Sequence, residues 1–295
     1  MNGPRRLVKS YMTMVGSALR NTTDIRHQQL YNSMALLMEM WHSDHGGNVD
    51  LRLSEARLFS QNGEDGIVAA LVRGLGGVPE SFVEFGANDG GQCNTRFAAE
   101  VLGWTGTYFE PSVGPFQRLT ERYRGNPRVV LGNDAVTPEN VVRLFRESSI
   151  PDDLGILSID IDGQDFWVWE ALADHYHPAI VVVEYNASIE RNRLVVERKG
   201  WPWNGDFACF GSSLSAFEKL GAIKGYTLLH TDATAVNAFF VRTDILGSCK
   251  TQFRGLTHRS PNYHLEGRGH AYSSDNERQH VLETSMIEGA TEARR

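Results

Sequence analysis

The stretch Ser81-Phe-Val-Glu-Phe-Gly-Ala-Asn-Asp-Gly-Gly91 decides how the chain folds. Phe82 to Phe85 is an apolar run of strand length, and the glycines at 86, 90 and 91 break it into a tight turn. Beyond Gln92-Cys93-Asn94-Thr95 the pattern becomes helical from about Arg96 to Leu102. A strand, a glycine turn and a helix in that order put Asn88 and Asp89 in the crevice at the carboxyl end of the strand, where open α/β sheets bind ligands. Such a turn suits a nucleoside-like cofactor.

Downstream of it, strands and helices alternate in the way that implies right-handed crossovers and a mostly parallel sheet. Strands are expected at 106–110, 128–131, 156–161, 180–184, 226–230 and 238–242, and helices at 113–123, 166–173 and 213–220. The last two strands are expected to form an antiparallel edge hairpin. Upstream, Phe59-Ser-Gln-Asn-Gly-Glu-Asp-Gly-Ile67 leads into a helical run from Val68 to Leu75. Ser60 is placed to cap that helix, while Gln61 and Glu64, three apart, can share a face and reach a ligand held at the first strand.

Composition bounds the rest. The chain has 295 residues, 41% apolar and 22% charged, with a formal net charge of −7, so a polyanionic partner such as DNA or RNA is not expected. The three cysteines, Cys93, Cys209 and Cys249, show neither a disulfide framework nor zinc spacing. No run of membrane-spanning length or export signal is recognised, which suits the cytoplasm. Three regions are expected: a helical extension over 1–55, a ligand-binding domain over 56–245, and a loosely ordered or acceptor-proximal extension over 246–295. In the first, Leu30, Met34, Leu37, Met38 and Trp41 share one helical face, which packs on the domain, covers the cofactor or forms a homodimer contact.

Polar residues where strands stop carry the chemistry. Glu110, at the end of the second strand, stands where such folds offer a carboxylate to ribose hydroxyls. The turn is Gly-Ala-Asn-Asp-Gly rather than Gly-x-Gly-x-x-Gly, and Asp89 within it would repel a pyrophosphate. A phosphate-free cofactor fits better. S-adenosylmethionine carries an ammonium and a sulfonium that Glu84 and Asp89 would favour, with Asp134 placed for the adenine amino group.

These residues resemble a family. Ser60-Gln-Asn-Gly-Glu-Asp-Gly66, Phe82-Val-Glu-Phe-Gly-Ala-Asn-Asp-Gly90 with Asn94 and Thr95, Ser158-Ile-Asp-Ile-Asp-Gly163 with Trp167-Val-Trp-Glu-Ala-Leu172, Val183-Glu-Tyr-Asn186 and Val236-Asn-Ala-Phe-Phe-Val-Arg242 together look like the FkbM-like class I S-adenosylmethionine-dependent methyltransferases. The resemblance runs from about residue 58 to 243. It implies an α/β fold: the doubly wound, mostly parallel, seven-stranded Rossmann-like methyltransferase sheet. It also implies methylation of saccharide hydroxyls in many members. The cofactor-site candidates are then Gln61, Glu64, Glu84, Gly86, Asn88, Asp89, Asn94, Glu110, Asp134 and Asp160.

Asp160 and Asp162 after the fourth strand, and Glu184 and Asn186 after the fifth, converge on one crevice. Asp160, Glu184 and Asn186 form a candidate Mg²⁺ site able to hold two acceptor oxygens, an arrangement that looks similar to metal-dependent sugar and catechol O-methyltransferases. Otherwise Asp160 binds the cofactor or caps a turn and Glu184 pairs with a buried arginine. Asp162 is the first choice of base and His230 the second. The long excursion from Ala187 to Ser212 offers Trp201, Trp203 and Asp206 to a sugar ring. Methyl transfer to a saccharide oxygen is the expected function. Transfer to nitrogen or a carboxyl group of a small molecule, or a non-catalytic cofactor-binding protein, are the alternatives, with a nicotinamide oxidoreductase behind them.

Overall fold

The computed structural model describes residues 47–200 and 211–262. A short strand β1 (Asn48–Asp50) is followed by β2 (Ser81–Phe85), β3 (Thr105–Phe109), β4 (Val129–Gly132), β5 (Ile156–Ile159), β6 (Ile180–Glu184), β7 (Tyr226–Thr231) and β8 (Asn237–Arg242). A last strand, β9 (Gln252–Arg254), pairs back in parallel on β1. The other strands make one seven-stranded sheet in the order β4-β3-β2-β5-β6-β8-β7. Every neighbouring pair is parallel except those made by β8, which runs antiparallel to β6 and β7. The chain winds outward from β2 to β4, returns to β5 and winds the other way. The switch point therefore lies between β2 and β5, where doubly wound sheets open a crevice.

Strand alternation divides the core in two. Val83, Phe85, Leu157, Ile159, Val181, Val183 and Phe240 face one layer, made by helices α3 (Val141–Glu147), α4 (Asp165–Ala171) and α5 (Leu214–Ile223). Trp169 anchors it, with ring centroids 5.0 Å from Phe240 and 5.6 Å from Tyr226. Phe82, Tyr108, Ile156, Ile180, Val182 and Phe239 face the other layer, made by α1 (Glu64–Leu75), a π-helical turn at Ala98–Leu102, and α2 (Val113–Arg122). The doubly wound α/β sheet expected from the sequence is the one observed, and Ile180–Glu184 has the bounds expected of it.

Some boundaries differ, for local reasons. Helix α1 begins at Glu64 rather than Val68, because the left-handed Gly63 (φ 101°) turns the chain directly into it. Strand β5 stops at Ile159 rather than Ile161, because the next turn takes Asp162 to φ 54° and Gln164 to φ 77°. Helix α3, a sixth helix α6 (Thr243–Ser248) and the β1–β9 pair were not anticipated. The amphipathic face at Leu30–Trp41 lies outside the described residues. No helix among the described residues is long and apolar enough to cross a membrane.

Candidate active site

At the carboxyl ends of β2, β3, β5 and β6 lies a crevice of about 830 Å³. Its base depends on Gly86 (φ 73°): a Cβ there would stand 1.7 Å from the Asp160 carbonyl oxygen, so only glycine lets β2 and β5 approach this closely. Glu84, in β2, is buried and accepts hydrogen bonds from the Asn94 N–H (2.8 Å), the Thr95 N–H (2.9 Å) and the Thr95 hydroxyl (2.5 Å). Glu84 thus receives the free amides at the start of the helical turn. Burial still pushes its pKa up to about 7. The Asn94 amide donates to Ser158 Oγ at 3.1 Å, tying the turn to β5.

On the β3–β4 side, Glu110 Oε2 accepts the Asn88 N–H (2.8 Å) and Oε1 the Ser112 N–H (2.7 Å). Each oxygen keeps a second lone pair, so the carboxylate can still take a vicinal diol. Asp89 Oδ1 accepts the Gly91 N–H at 2.8 Å, which closes the glycine turn, and Asp134 lies on the rim behind β4. On the opposite wall Gln61 lines the crevice beside Glu64, whose carboxylate accepts from the Asn62 N–H (2.7 Å) and the Asn237 amide (2.9 Å). Ser60, expected as the cap, is not the N-cap, which is Gly63; from outside the helix its Oγ accepts the Asp65 N–H at 3.1 Å. Each expected cofactor residue therefore lines one crevice.

Asp160, Asp162 and Glu184 come together beyond β5 and β6, each with an oxygen within 4.8 Å of the others. Asp160 and Glu184 hydrogen-bond to each other, and burial together with the neighbouring carboxylates pushes both well above the usual carboxylate range. Carboxylates this crowded share a proton unless a cation replaces it. Asp165, at the start of α4, accepts the Ile161 N–H (3.0 Å) and the Gly163 N–H (2.9 Å), so it brackets Asp162 and fixes its left-handed backbone. Gln164 ties this turn to the segment leading away from β6: its N–H donates to Glu197 (2.6 Å), its amide to the Arg198 carbonyl (2.9 Å), and its side-chain oxygen accepts the Gly200 N–H (2.7 Å).

Two expected site residues stand elsewhere. Asn186 is buried outside the crevice lining, with Oδ1 accepting the Ser188 N–H (3.0 Å), while Asp162 stands beside Asp160 and Glu184. His230 is fully buried away from the crevice: Nδ1 accepts the Leu256 N–H (2.9 Å), so Nε2 carries the hydrogen and donates to Glu55 (3.0 Å). That bonding removes it as a base. Trp201, Trp203 and Asp206 lie outside the described residues. The sequence reading missed Asn237, which β8 sets directly opposite Glu184, and Gln164 and Asp165, whose roles are visible only once the turn is folded. Asn237 belongs to a motif already noted, and its place at the start of a strand was the available signal.

The crevice has a marked charge. Glu64, Glu84, Asp89, Glu110, Asp134, Glu139, Asp160, Asp162 and Glu184 line it, and no lysine or arginine does among the described residues.

No protein-family model matches the sequence, and no curated protein aligns with it. Similar solved structures include the N-terminal domain of EvdMO1 with SAH bound, at 15% identity over 75% of this chain and 96% of that one, with a TM-score of 0.41. A SAM dependent methyltransferase from Aquifex aeolicus aligns at 10% identity over 59% and 89%, with a TM-score of 0.36. The fibrillarin/Nop5p complex aligns at 14% identity over 54% and 70%, also at 0.36. What the crevice binds is read below from its own side chains.

Proposed function

We propose that the chain is an FkbM-like, S-adenosylmethionine-dependent O-methyltransferase acting on a hydroxyl of a saccharide or glycosylated metabolite in the cytoplasm. The observation that carries this is the crevice's charge: carboxylates throughout, with no described lysine or arginine. Such a site repels the phosphates of a dinucleotide and favours a cofactor whose charges include a sulfonium and an ammonium. Glu110 holds the ribose diol, Asp134 the adenine amino group, and the turn from Gly86 to Asp89 lies beneath the nucleoside.

Bound there, the cofactor supplies a methyl group on a sulfonium leaving group. The protein's part is to align the attacking oxygen and take its proton. Asp162, exposed at the crevice and braced by Asp165, accepts the hydroxyl proton as the O–CH3 bond forms and the S–CH3 bond breaks. Asp160 and Glu184, beside Asp162, offer hard carboxyl oxygens that fit Mg²⁺ and leave Asp162 to take the proton. A divalent cation held there would steady two acceptor oxygens and make the hydroxyl more acidic.

Calorimetry with S-adenosylhomocysteine after EDTA treatment, repeated with Mg²⁺, tests the cofactor; methyl transfer to a glycoside panel under both conditions tests the chemistry. Binding without metal and transfer only with it is the expected result. Absence of binding in both conditions overturns the proposal, and transfer indifferent to chelator would favour a nitrogen or carboxyl acceptor.

A further inference from the structure

Building on that function, we infer that, with no divalent cation bound, the acceptor end of the crevice binds a neutral polyol through its hydroxyl hydrogens and disfavours acceptors bearing phosphate, sulfate or carboxylate, with Asn237 as a specificity residue. The order of the sheet sets the layout. Asp134 follows β4 and Glu110 follows β3, whereas Asp160 follows β5, Glu184 ends β6 and Asn237 begins β8. From β3 to β6 is three strand spacings, about 14 Å. A nucleoside at the β3–β4 end leaves the β5–β6–β8 end for the acceptor.

That end offers hydrogen-bond acceptors. Asp160, Asp162 and Glu184 bring carboxyl oxygens within 4.8 Å of one another there, and carboxylate oxygens accept hydrogen bonds. Asn237 adds an independent observation. It is 3% exposed, it lines the crevice, and its side-chain oxygen has no hydrogen-bond partner among the described residues. Its orientation is chemically determined: Nδ2 donates to Glu64 Oε1 at 2.9 Å, and the reversed amide would set two acceptors against each other. A buried amide oxygen without a donor is costly, and a ligand hydroxyl relieves it. Phosphate or carboxylate brings further acceptors and negative charge to a wall already lined by both.

The test uses the full chain saturated with S-adenosylhomocysteine in EDTA. Methyl glycosides of glucose, galactose, mannose and fucose, and methyl uronides of glucose, galactose and mannose, are titrated by saturation-transfer NMR. At least one neutral glycoside should bind, about tenfold or more tighter than its uronide where one is matched. Asn237→Ala should weaken that glycoside about tenfold, more than it weakens S-adenosylhomocysteine; Asn237→Ser serves if the alanine variant does not fold. Uronides binding as tightly as their glycosides would overturn the charge selection. No glycoside binding would overturn the polyol, while S-adenosylhomocysteine binding in the same sample leaves the methyltransferase proposal standing. Unchanged glycoside affinity in both variants would remove Asn237 from the site.

Discussion

Glu110 and Asn88 hold one another in place across the end of the sheet. The Glu110 carboxylate accepts the Asn88 N–H at 2.8 Å, and Asn88 sits at φ 50°, a conformation that a non-glycine residue keeps only when its surroundings enforce it. One side chain thus shapes the glycine turn and presents its remaining lone pairs to the crevice. Glu110→Ala should weaken S-adenosylhomocysteine binding by about 10- to 100-fold, since a charge-assisted pair of hydrogen bonds is lost. Calorimetry decides it, and unchanged affinity would take Glu110 out of the ribose site.

Asp162 and Asp165 separate two roles. Asp162→Asn should slow methyl transfer about 100-fold or more while changing cofactor affinity little, because general-base assistance is worth that much. Asp165→Ala leaves the Ile161 and Gly163 amides without their acceptor, and it should lower both turnover and melting temperature. Single-turnover kinetics beside thermal unfolding distinguishes them; normal turnover in the Asp162 variant would dismiss it as the base.

Gly86→Ala should abolish soluble expression or destabilise the protein by about 3 kcal/mol or more, since the added Cβ would meet the Asp160 carbonyl at 1.7 Å and the backbone is left-handed. Urea unfolding measures it. A variant as stable as the parent would mean that β2 and β5 can part there without penalty.

His230→Ala should destabilise the fold by about 2 kcal/mol without changing cofactor affinity, because the ring joins Glu55 to the Leu256 amide and does not line the crevice. Thermal unfolding and calorimetry on one sample provide the check. Loss of cofactor binding in a folded variant would return the histidine to the site.

Stability should fall as pH rises through neutrality. Burial raises Glu84 and Asp232 to about 7 and Glu197 to about 8, from ordinary values of 4.5, 3.8 and 4.5. Between those ordinary values and the raised ones the folded chain binds more protons than the unfolded chain. Their contribution is therefore fully present below about pH 4 and lost as pH climbs through 7 to 8. In EDTA the melting temperature should be lower at pH 8.5 than at pH 5.5; a flat or rising profile would mean these carboxyls titrate normally.

The sheet and the residues lining the crevice at the ends of β2 and β3 were legible because local signals carry them. Ile180–Val183 is an uninterrupted apolar run, and the glycines after Phe85 announce a turn at the carboxyl end of β2. Long-range relations left no such trace. Helix α3 spans only Val141–Glu147, and β1 meets β9 from the far end of the domain. The burial of His230 depends on Glu55, 175 residues earlier. The approach of Asp162 to Asp160 and Glu184 depends on the left-handed turn after β5, which strand spacing does not reveal.

The pairing of β1 with β9, reinforced where the Gln252 N–H donates to the Gly47 carbonyl at 2.6 Å, joins a segment that precedes the seven-stranded sheet to one that follows it. A substitution that frays β9 therefore also strips β1 of its hydrogen-bonding partner, although the whole sheet lies between them in sequence.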